Sequence, residues 1–257
     1  MDASDRRGQG QGQVLTGAIF SSSTLAGTPA DVPVPAATVV PLRDGPEGLE
    51  VALLRRGRRG AFPGYWVFPG GKIEEVDRLA ARARSGDAPD DESAPARAAA
   101  LREADEEAGL VLVDSDLVAL SFWLPPPEAE RRFATWFFLA PAPPGEVMVD
   151  RGEIREHRWV TPASALELRD RGEMRLAPPT WMTLRWLSQR QDTASALADA
   201  RSSGVRRYST KALRKSDGEW AVTLWEGDAA YVDGDLDRPG GRRRLILGDI
   251  WRFEGDD

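Results

Sequence analysis

One acidic stretch, residues 101–110 (Leu-Arg-Glu-Ala-Asp-Glu-Glu-Ala-Gly-Leu), constrains the fold of this chain more than any other. Its apolar residues recur at helical spacing. Glu103, Glu106 and Glu107 stand at i, i+3 and i+4, so their side chains share one face of the predicted helix. Three carboxylates on one face repel one another and weaken the helix unless a positive group lies among them. The stretch therefore predicts a helix that ends at Gly109 and carries either a solvated acidic face or a face that binds a divalent metal ion.

A glycine pair lies upstream, in residues 66–71 (Trp-Val-Phe-Pro-Gly-Gly), where a short strand should lead into a tight turn that approaches a ligand or ion closely. Joined, the two segments resemble the signature of the Nudix hydrolases, Gly-x5-Glu-x7-Arg-Glu-U-x-Glu-Glu-x-Gly-U, in which U is apolar. Gly71 takes the first glycine position, and residues 102–110 fill the second half without a mismatch. The chain departs from the signature in two ways. Asp77 replaces the first glutamate, and 24 residues separate it from Arg102 where the signature has seven.

This resemblance implies an α/β fold, the Nudix-type α/β/α sandwich with a mixed sheet. It implies hydrolysis of the phosphoanhydride in a small nucleotide-type substrate, a nucleoside diphosphate linked to another group. Mg²⁺ or Mn²⁺ is the implied cofactor, since both ions prefer oxygen ligands. By position, the metal ligands are Glu103, Glu106, Glu107 and the carbonyl of Gly70. One of the last two glutamates is the alternative acceptor of the water's proton, and Arg102 should orient a carboxylate.

Further candidates for the site lie outside these positions. Asp77 could reach a second metal ion through water, although it is one methylene shorter than the usual glutamate. Glu153, on a predicted strand, is the candidate for an additional metal ligand or base, with Glu156 in reserve. An ordinary surface salt bridge is the alternative for both. The only histidine, His157, is expected to have a structural role because no second histidine or cysteine accompanies it.

A basic loop, which contains Arg55, Arg56, Arg58 and Arg59, leads towards the glycine pair. Its simplest interpretation is a solvated loop. The alternative is a phosphate contact, because the guanidinium group matches phosphate oxygens in geometry and charge. We predict substrate contacts from Arg55, Arg56 and Arg58, and from the aromatic ring of Trp66.

A finer resemblance concerns the substrate. The Phe-Pro-Gly-Gly-x-Ile-x-x-x-Asp opening at residues 68–77, the interrupted signature and the Leu-x-Pro-Pro-Thr-Trp segment at 176–181 resemble the branch that contains acyl-coenzyme A diphosphatases. This resemblance implies coenzyme A or acyl-coenzyme A as the substrate. Two alternatives stay open: a Nudix hydrolase of ADP-ribose, dinucleotides or oxidised nucleotides, and a non-catalytic Nudix module that binds a nucleotide. The complete acidic set in the second half of the signature disfavours the non-catalytic module.

The composition along the chain divides it into three parts. Residues 1–31, rich in Gly, Gln, Ser and Thr, are predicted to form a flexible arm. Residues 32–190 should form the Nudix domain, with an insertion at about 78–93, and residues 191–257 a C-terminal helix and antiparallel β-ribbon. The ribbon strands are expected at 220–225, 229–232, 243–247 and 250–253. The adjacent arginines 242–244 are expected to protect an edge strand from pairing with other chains.

The overall composition excludes several classes of partner. The net charge of −7 over 257 residues argues against a nucleic acid partner, because phosphate backbones attract basic surfaces. The absence of cysteine excludes disulfides and thiolate metal sites and suits a reducing compartment. No apolar run approaches the ~18 residues of a membrane span, so we expect no membrane partner. We therefore expect a cytoplasmic protein and leave a homodimer open.

Overall fold

The computed structural model describes residues 32–58, 61–85, 91–149 and 152–255. Within these ranges the strands are β1 (Val34–Gly45), β2 (Gly48–Arg56), β3 (Trp66–Val67), β4 (Gly70–Lys72), β5 (Val118–Leu124), β6 (Phe133–Pro141), β7 (Ile154–Val160), β8 (Arg206–Ser209), β9 (Lys211–Arg214), β10 (Trp220–Leu224), β11 (Arg243–Ile246) and β12 (Arg252–Gly255). The α-helices are α1 (Glu75–Ser85), α2 (Ala94–Ala108), α3 (Pro162–Asp170), α4 (Pro178–Leu187) and α5 (Thr193–Ser203). None of the helices described is both long and apolar enough to cross a bilayer. The predicted N-terminal arm, Arg59 and the middle of the predicted insertion lie outside the described residues.

Strand β1 is the centre of the main sheet. The sheet has the order β3-β2-β1-β6-β5-β8, with β4 also paired to β1 and β7 to β2. The small and β-branched residues of β1 favour a buried strand, and Val39 and Val40 have no exposed surface. β1 pairs with β6 in parallel and with β2 antiparallel. The sheet therefore contains both kinds of pairing, and the predicted mixed sheet is confirmed.

Consecutive side chains of β1 point into two different cores, because side chains alternate between the faces of a strand. Val39 lies in the core that contains the buried alanines of α2, from Ala96 to Ala108. Val40 lies in the core that contains the buried residues of α3, α4 and α5. Small side chains on α2 allow the helix to lie close to the sheet. With helices on both faces, the predicted α/β/α sandwich is confirmed.

The segment that interrupts the signature begins with a helix. α1 runs for 11 residues and packs against α2. Pro95 lies in the first turn of α2, where proline is tolerated. Ser93, which precedes the helix, does not cap it, because its hydroxyl donates to Asp91 at 2.8 Å. Gly109 ends α2 with a φ of 64°, a left-handed conformation that glycine adopts without strain.

The C-terminal residues form a second, separate sheet with the order β12-β11-β10-β9. All its pairs are antiparallel, so the predicted antiparallel extension is confirmed. Two details of the prediction are wrong. Residues 229–232 form turns instead of a strand, and the strand that follows Arg242 lies inside the sheet, so residues 242–244 do not protect an edge. Arg244 is instead buried and forms an ion pair with Asp228 at 2.6 Å.

Trp225 connects the second sheet to the main core. It has no exposed surface, and its ring centroid lies 5.7 Å from that of Trp123 and 5.4 Å from that of Tyr208. Tyr208 belongs to β8, a strand that the sequence did not predict and that extends the main sheet beside β5. The indole N–H of Trp225 donates to the hydroxyl of Thr210 at 3.1 Å. The domain boundary at residue 190 remains a prediction, and residues on both sides of it share one core.

The Asp228–Arg244 pair should set part of the acid stability of the second sheet. Burial opposes the charge of Asp228, but hydrogen bonds from Arg244 and from two backbone N–H groups outweigh it and hold the pKa of Asp228 below its usual value. We predict that Asp228→Asn lowers the free energy of unfolding at pH 7 by about 3 kcal/mol, because Arg244 would stay buried without its counter-charge. A carboxylate with a depressed pKa stabilises the fold above its unfolded-state pKa of ~3.9 and loses this effect as the pH falls through its folded-state pKa. The difference between wild type and variant, measured by urea unfolding, should therefore persist down to about pH 4 and shrink below it.

Asp233→Asn is the matched control for this prediction. Asp233 pairs with Arg238, but 41% of its side chain is exposed, and exposed pairs contribute less than about 1 kcal/mol. Equal losses of stability in the two variants would contradict a special role for the buried pair.

Candidate active site

The two glycines of β4 lie against neighbours that leave no room for a side chain. Gly70 pairs with Thr38 of β1, and Gly71 pairs with Ala37. A Cβ atom at Gly70 would lie 2.4 Å from the carbonyl oxygen of Ala37, and one at Gly71 would lie 2.2 Å from the carboxylate of Glu103. The glycines are strand residues instead of the expected tight turn. They are needed because β1 and the acidic face of α2 approach β4 so closely.

Arg102 connects three segments at the point where β4 and α2 lie close together. Its guanidinium group donates to both carboxylate oxygens of Asp77, at 3.1 and 2.9 Å, and to the carbonyl of Lys72 at 3.1 Å. It also donates to Glu103 and Glu106, at 2.9 Å each. The hydrogen bond to Asp77 raises the pKa of Arg102 most, against the opposing effect of burial. Asp77, only 3% exposed, is thus the anchor of Arg102, and Arg102 lies where it can orient the carboxylates of α2.

A second guanidinium group, that of Arg56 at the end of β2, brings together three of the predicted metal ligands. It donates to the carbonyl of Gly70 at 3.0 Å, to Glu107 at 3.0 Å and to Glu153 at 3.2 Å. The backbone N–H of Gly70 donates to the other oxygen of Glu107 at 2.9 Å. These three ligands are far apart in the sequence. Glu153 lies in the turn before β7 and not on a strand as predicted, and this turn meets β4 and α2 at the end of β2.

The carboxylates of α2 differ in their surroundings. Burial raises the pKa of Glu107 to about 7, although the charge of Arg56 and the N–H of Gly70 act against it. Burial likewise raises the pKa of Glu103, and Arg102 opposes that rise. The side chain of Glu106 is 59% exposed. The acidic face therefore presents two sheltered carboxylates that need positive charge beside them, and one that is open to water.

The donor set suits a hard divalent cation. Every candidate ligand is an oxygen, from a carboxylate or a backbone carbonyl, as Mg²⁺ and Mn²⁺ prefer. Gly70, Glu107 and Glu153 already surround one positive charge, that of Arg56. In the part of the chain that the structure describes, no three acidic or histidine side chains converge as a ready-made metal cage. A metal ion at this position would therefore exchange with some of the guanidinium contacts.

A groove of about 1230 Å³ opens beside β4 and α2. The residues that line its charged end are Arg56, Gly70, Gly71, Lys72, Arg102, Glu103, Glu106, Glu107 and Glu153. Its other walls come from the 125–127 loop, from the start of α4 and from the C-terminal sheet. Its volume accommodates a nucleotide together with a second attached group.

Three of the predicted substrate contacts lie elsewhere in the fold. Trp66 is 3% exposed and packs in the main core, where its ring cannot stack on a base. Arg55 forms an ion pair with Glu156 at 3.1 Å, and Arg58 is exposed in the loop after β2. Of the four predicted contacts, Arg56 is the one that lines the groove. Neighbouring residues of a strand point to opposite faces, which is why Arg55 and Arg56 have different surroundings.

The C-terminal wall of the groove is the part that sequence reasoning missed. Trp220 and Thr223 of β10 line it, with Ala212 of β9, Thr210 and Leu247. The prediction assigned these residues to a ribbon separate from the site. The signal that could have drawn attention to them is Thr223, the one hydroxyl-bearing residue in the otherwise apolar run of residues 220–225.

Comparisons with known proteins agree with this description of the fold. Residues 32–187 match the family model of the NUDIX domain. The crystal structure of a NUDIX hydrolase from Alicyclobacillus acidocaldarius is 25% identical, with a TM-score of 0.59 over 65% of this chain and 96% of that chain. The NUDIX domain of Shewanella oneidensis NrtR, solved with ADP ribose, is 19% identical, with a TM-score of 0.45 over 60% of this chain and 86% of that chain. No protein of curated function matches the chain.

The two glycines of β4 should respond differently to alanine. Gly70→Ala brings a methyl group against the backbone of β1, so we expect the free energy of unfolding to fall by about 2 kcal/mol. Gly71→Ala meets the end of the flexible Glu103 side chain, which can move aside, so the loss should stay below about 1 kcal/mol. Urea unfolding of both variants measures the difference. A larger loss for Gly71→Ala would contradict the packing described here.

Proposed function

The chain belongs to the Nudix hydrolase family, and on that premise we propose that it is a metal-dependent pyrophosphohydrolase that cleaves the phosphoanhydride of a nucleoside diphosphate derivative. One observation carries the proposal. The carbonyl of Gly70 and the carboxylates of Glu107 and Glu153, from three separate segments, gather around one positive charge at the end of a groove that can hold a nucleotide derivative. A fold with only a structural use for these residues would have no need to desolvate Glu107.

The residues of the site have two functions, which are to bind the metal ion and to accept a proton. Glu103, Glu106, Glu107, Glu153 and the Gly70 carbonyl are the groups that would hold Mg²⁺ or Mn²⁺. When bound, the ion neutralises the diphosphate and lowers the pKa of a water molecule. Water adds to one phosphorus atom, the bridging P–O bond breaks, and the bridging oxygen leaves with the other phosphate. The proton from the water passes to a carboxylate of α2, Glu106 or Glu107.

Arg102 acts on this site through the carboxylates that it holds. Its bidentate contact with Asp77 fixes the guanidinium plane, and the remaining N–H groups fix Glu103 and Glu106. A bidentate pair gives geometric precision that a lysine, with its single point charge, does not provide. Arg102 and Asp77 are therefore positioning residues.

Replacement of the α2 carboxylates is the direct test. Glu106→Gln and Glu107→Gln should each lower kcat by ~10²–10⁴, because each removes either a metal ligand or the proton acceptor. Product release from a panel of nucleoside diphosphate derivatives, with Mg²⁺ or Mn²⁺ and again with EDTA, measures the effect. Asp105→Asn is the matched control, since Asp105 is exposed on the same helix and absent from the groove lining. Near-wild-type turnover in both glutamine variants would refute the assignment of the site.

For the substrate we propose coenzyme A or its thioesters. Support comes from the resemblance of residues 68–77 and 176–181 to the acyl-coenzyme A diphosphatase branch, and from the two kinds of wall in the groove. The groove is lined by the basic side chains of Lys72, Arg131 and Arg132, and also by prolines and aromatic rings. Such a groove suits a molecule with a phosphorylated nucleotide at one end and an uncharged arm at the other.

The products should be adenosine 3′,5′-bisphosphate and a 4′-phosphopantetheine compound. Dephospho-coenzyme A should be cleaved with a kcat/KM lower by about tenfold, because it lacks the 3′-phosphate that basic side chains would contact. Chromatography of the products at equal concentrations of the two compounds measures the ratio. Much faster cleavage of ADP-ribose or a dinucleotide would contradict coenzyme A and leave the pyrophosphohydrolase proposal standing.

A further inference from the structure

Thr223 of β10 carries a buried hydroxyl group that no other group of the described residues satisfies. The residue is 5% exposed, and its Oγ1 atom has no hydrogen-bond partner in the described part of the chain. The other residues of the strand segment from Trp220 to Trp225 are apolar. A buried hydroxyl without a partner destabilises a fold, and valine has nearly the same shape without that cost. The hydroxyl therefore calls for a partner that the described residues do not provide.

The position of Thr223 in the sheet shows where that partner would come from. Thr223 pairs with Ala212 of β9 on one side and with Leu245 of β11 on the other. Its strand neighbours Val222 and Leu224 pack in a small core on the outer face of the sheet. Because side chains alternate, Thr223 points to the opposite face, which carries Ala212 and faces the groove.

The C-terminal residues that line the groove with Thr223 are uncharged and mostly apolar. Trp220 and Leu247 of the C-terminal segment are among them, and Pro126 and Pro179 of the main domain line the same groove. The ring of Trp220 is held by Arg214, whose guanidinium carbon lies 3.6 Å from the ring centroid while the same group donates to the carbonyl of Gly218. Its charge is thus engaged in the sheet, and the ring is fixed as a flat apolar surface.

We propose that the C-terminal sheet forms a second substrate subsite, which takes the uncharged arm attached to the nucleoside diphosphate. The hydroxyl of Thr223 makes a hydrogen bond to a polar group within that arm, and Trp220 packs against its apolar part. The subsite rests on the proposed function, since it receives the part of the substrate that lies beyond the phosphoanhydride. The residues of this subsite lie outside residues 32–187, so this chain supplies the wall in addition to its Nudix domain.

Two matched pairs of ligands test the subsite by equilibrium binding. Coenzyme A is compared with adenosine 3′-phosphate 5′-diphosphate, which is coenzyme A without its pantetheine arm, and ADP-ribose is compared with ADP. Titration calorimetry is performed on the full chain in the Glu106→Gln background with Mg²⁺, so that the intact ligands persist. In at least one pair the arm should tighten binding. Thr223→Val should weaken binding of that armed ligand by about fivefold to tenfold, the effect of one hydrogen bond, and leave the armless ligand within twofold.

Two further variants complete the experiment. Thr183→Val removes a buried hydroxyl that already has a partner, the carbonyl of Pro179 at 2.9 Å. The side chain of Thr183 does not line the groove, so this variant should change neither affinity. Trp220→Leu should also reduce the contribution of the arm, and it keeps the proposal testable if Thr223→Val fails to fold. Two results would overturn the subsite. One is an arm that adds no affinity in either pair, and the other is a Thr223→Val variant that weakens binding of the armed and armless ligands equally. Metal-dependent turnover by wild type alongside that result would leave the proposed function intact. If Thr223→Val removes an arm effect while the wild-type chain hydrolyses no member of the panel of nucleoside diphosphate derivatives, the result would support the subsite and overturn the hydrolase proposal.

Discussion

The structure depends on two guanidinium groups, those of Arg56 and Arg102, which keep five carboxylates together so that their repulsion does not separate β4 from α2. The carboxylates come from different segments and are Asp77, Glu103, Glu106, Glu107 and Glu153. The charge is therefore balanced between elements, so that losing one arginine would loosen a helix, a strand and a loop together. The glycines of β4 and the alanines of α2 serve the same end. Because its glycines have no side chain, β4 lies directly against the acidic face of α2. Because the alanine side chains of α2 are short, the helix lies directly on the sheet.

The parts of this arrangement that depend on local sequence were predictable. The spacing of Glu103, Glu106 and Glu107 predicts a shared helix face, and Gly109 predicts its end, because both properties are set within a few residues of chain. The mixed sheet and its sandwich of helices followed from the resemblance of two short segments to a known signature. The tight turn at Gly70 was wrong for a physical reason. The sequence shows that a glycine is required but not whether a positive φ or a close neighbour requires it.

The remaining features depend on contacts between distant segments. Arg55 and Arg56 are adjacent arginines that local sequence does not distinguish. They lie on opposite faces of β2, where Arg55 contacts Glu156. Arg56 instead contacts Gly70, Glu107 and Glu153. Arg244 belongs to a run of three arginines, a pattern that predicts exposure to solvent. In the structure it is buried and forms an ion pair with Asp228, 16 residues earlier. Neither outcome follows from periodicity, because each needs the register between strands that the chain reaches only on folding.

The division of the groove between two parts of the chain separates reaction from recognition. The charged end is built by β2, β4, α2 and the turn before β7, whose geometry is fixed by ion pairs and by glycines that lie close against their neighbours. The far end is built by β9 and β10, which join the main core through Trp225 and Tyr208 and contribute no carboxylate to the charged end. Residues on β10 can therefore change without disturbing the carboxylates, since the ion pairs Arg56–Glu107 and Arg102–Asp77 of the charged end involve no residue of β9 or β10. Recognition by a sheet added to the domain leaves the chemistry in place while the arm of the substrate is selected independently.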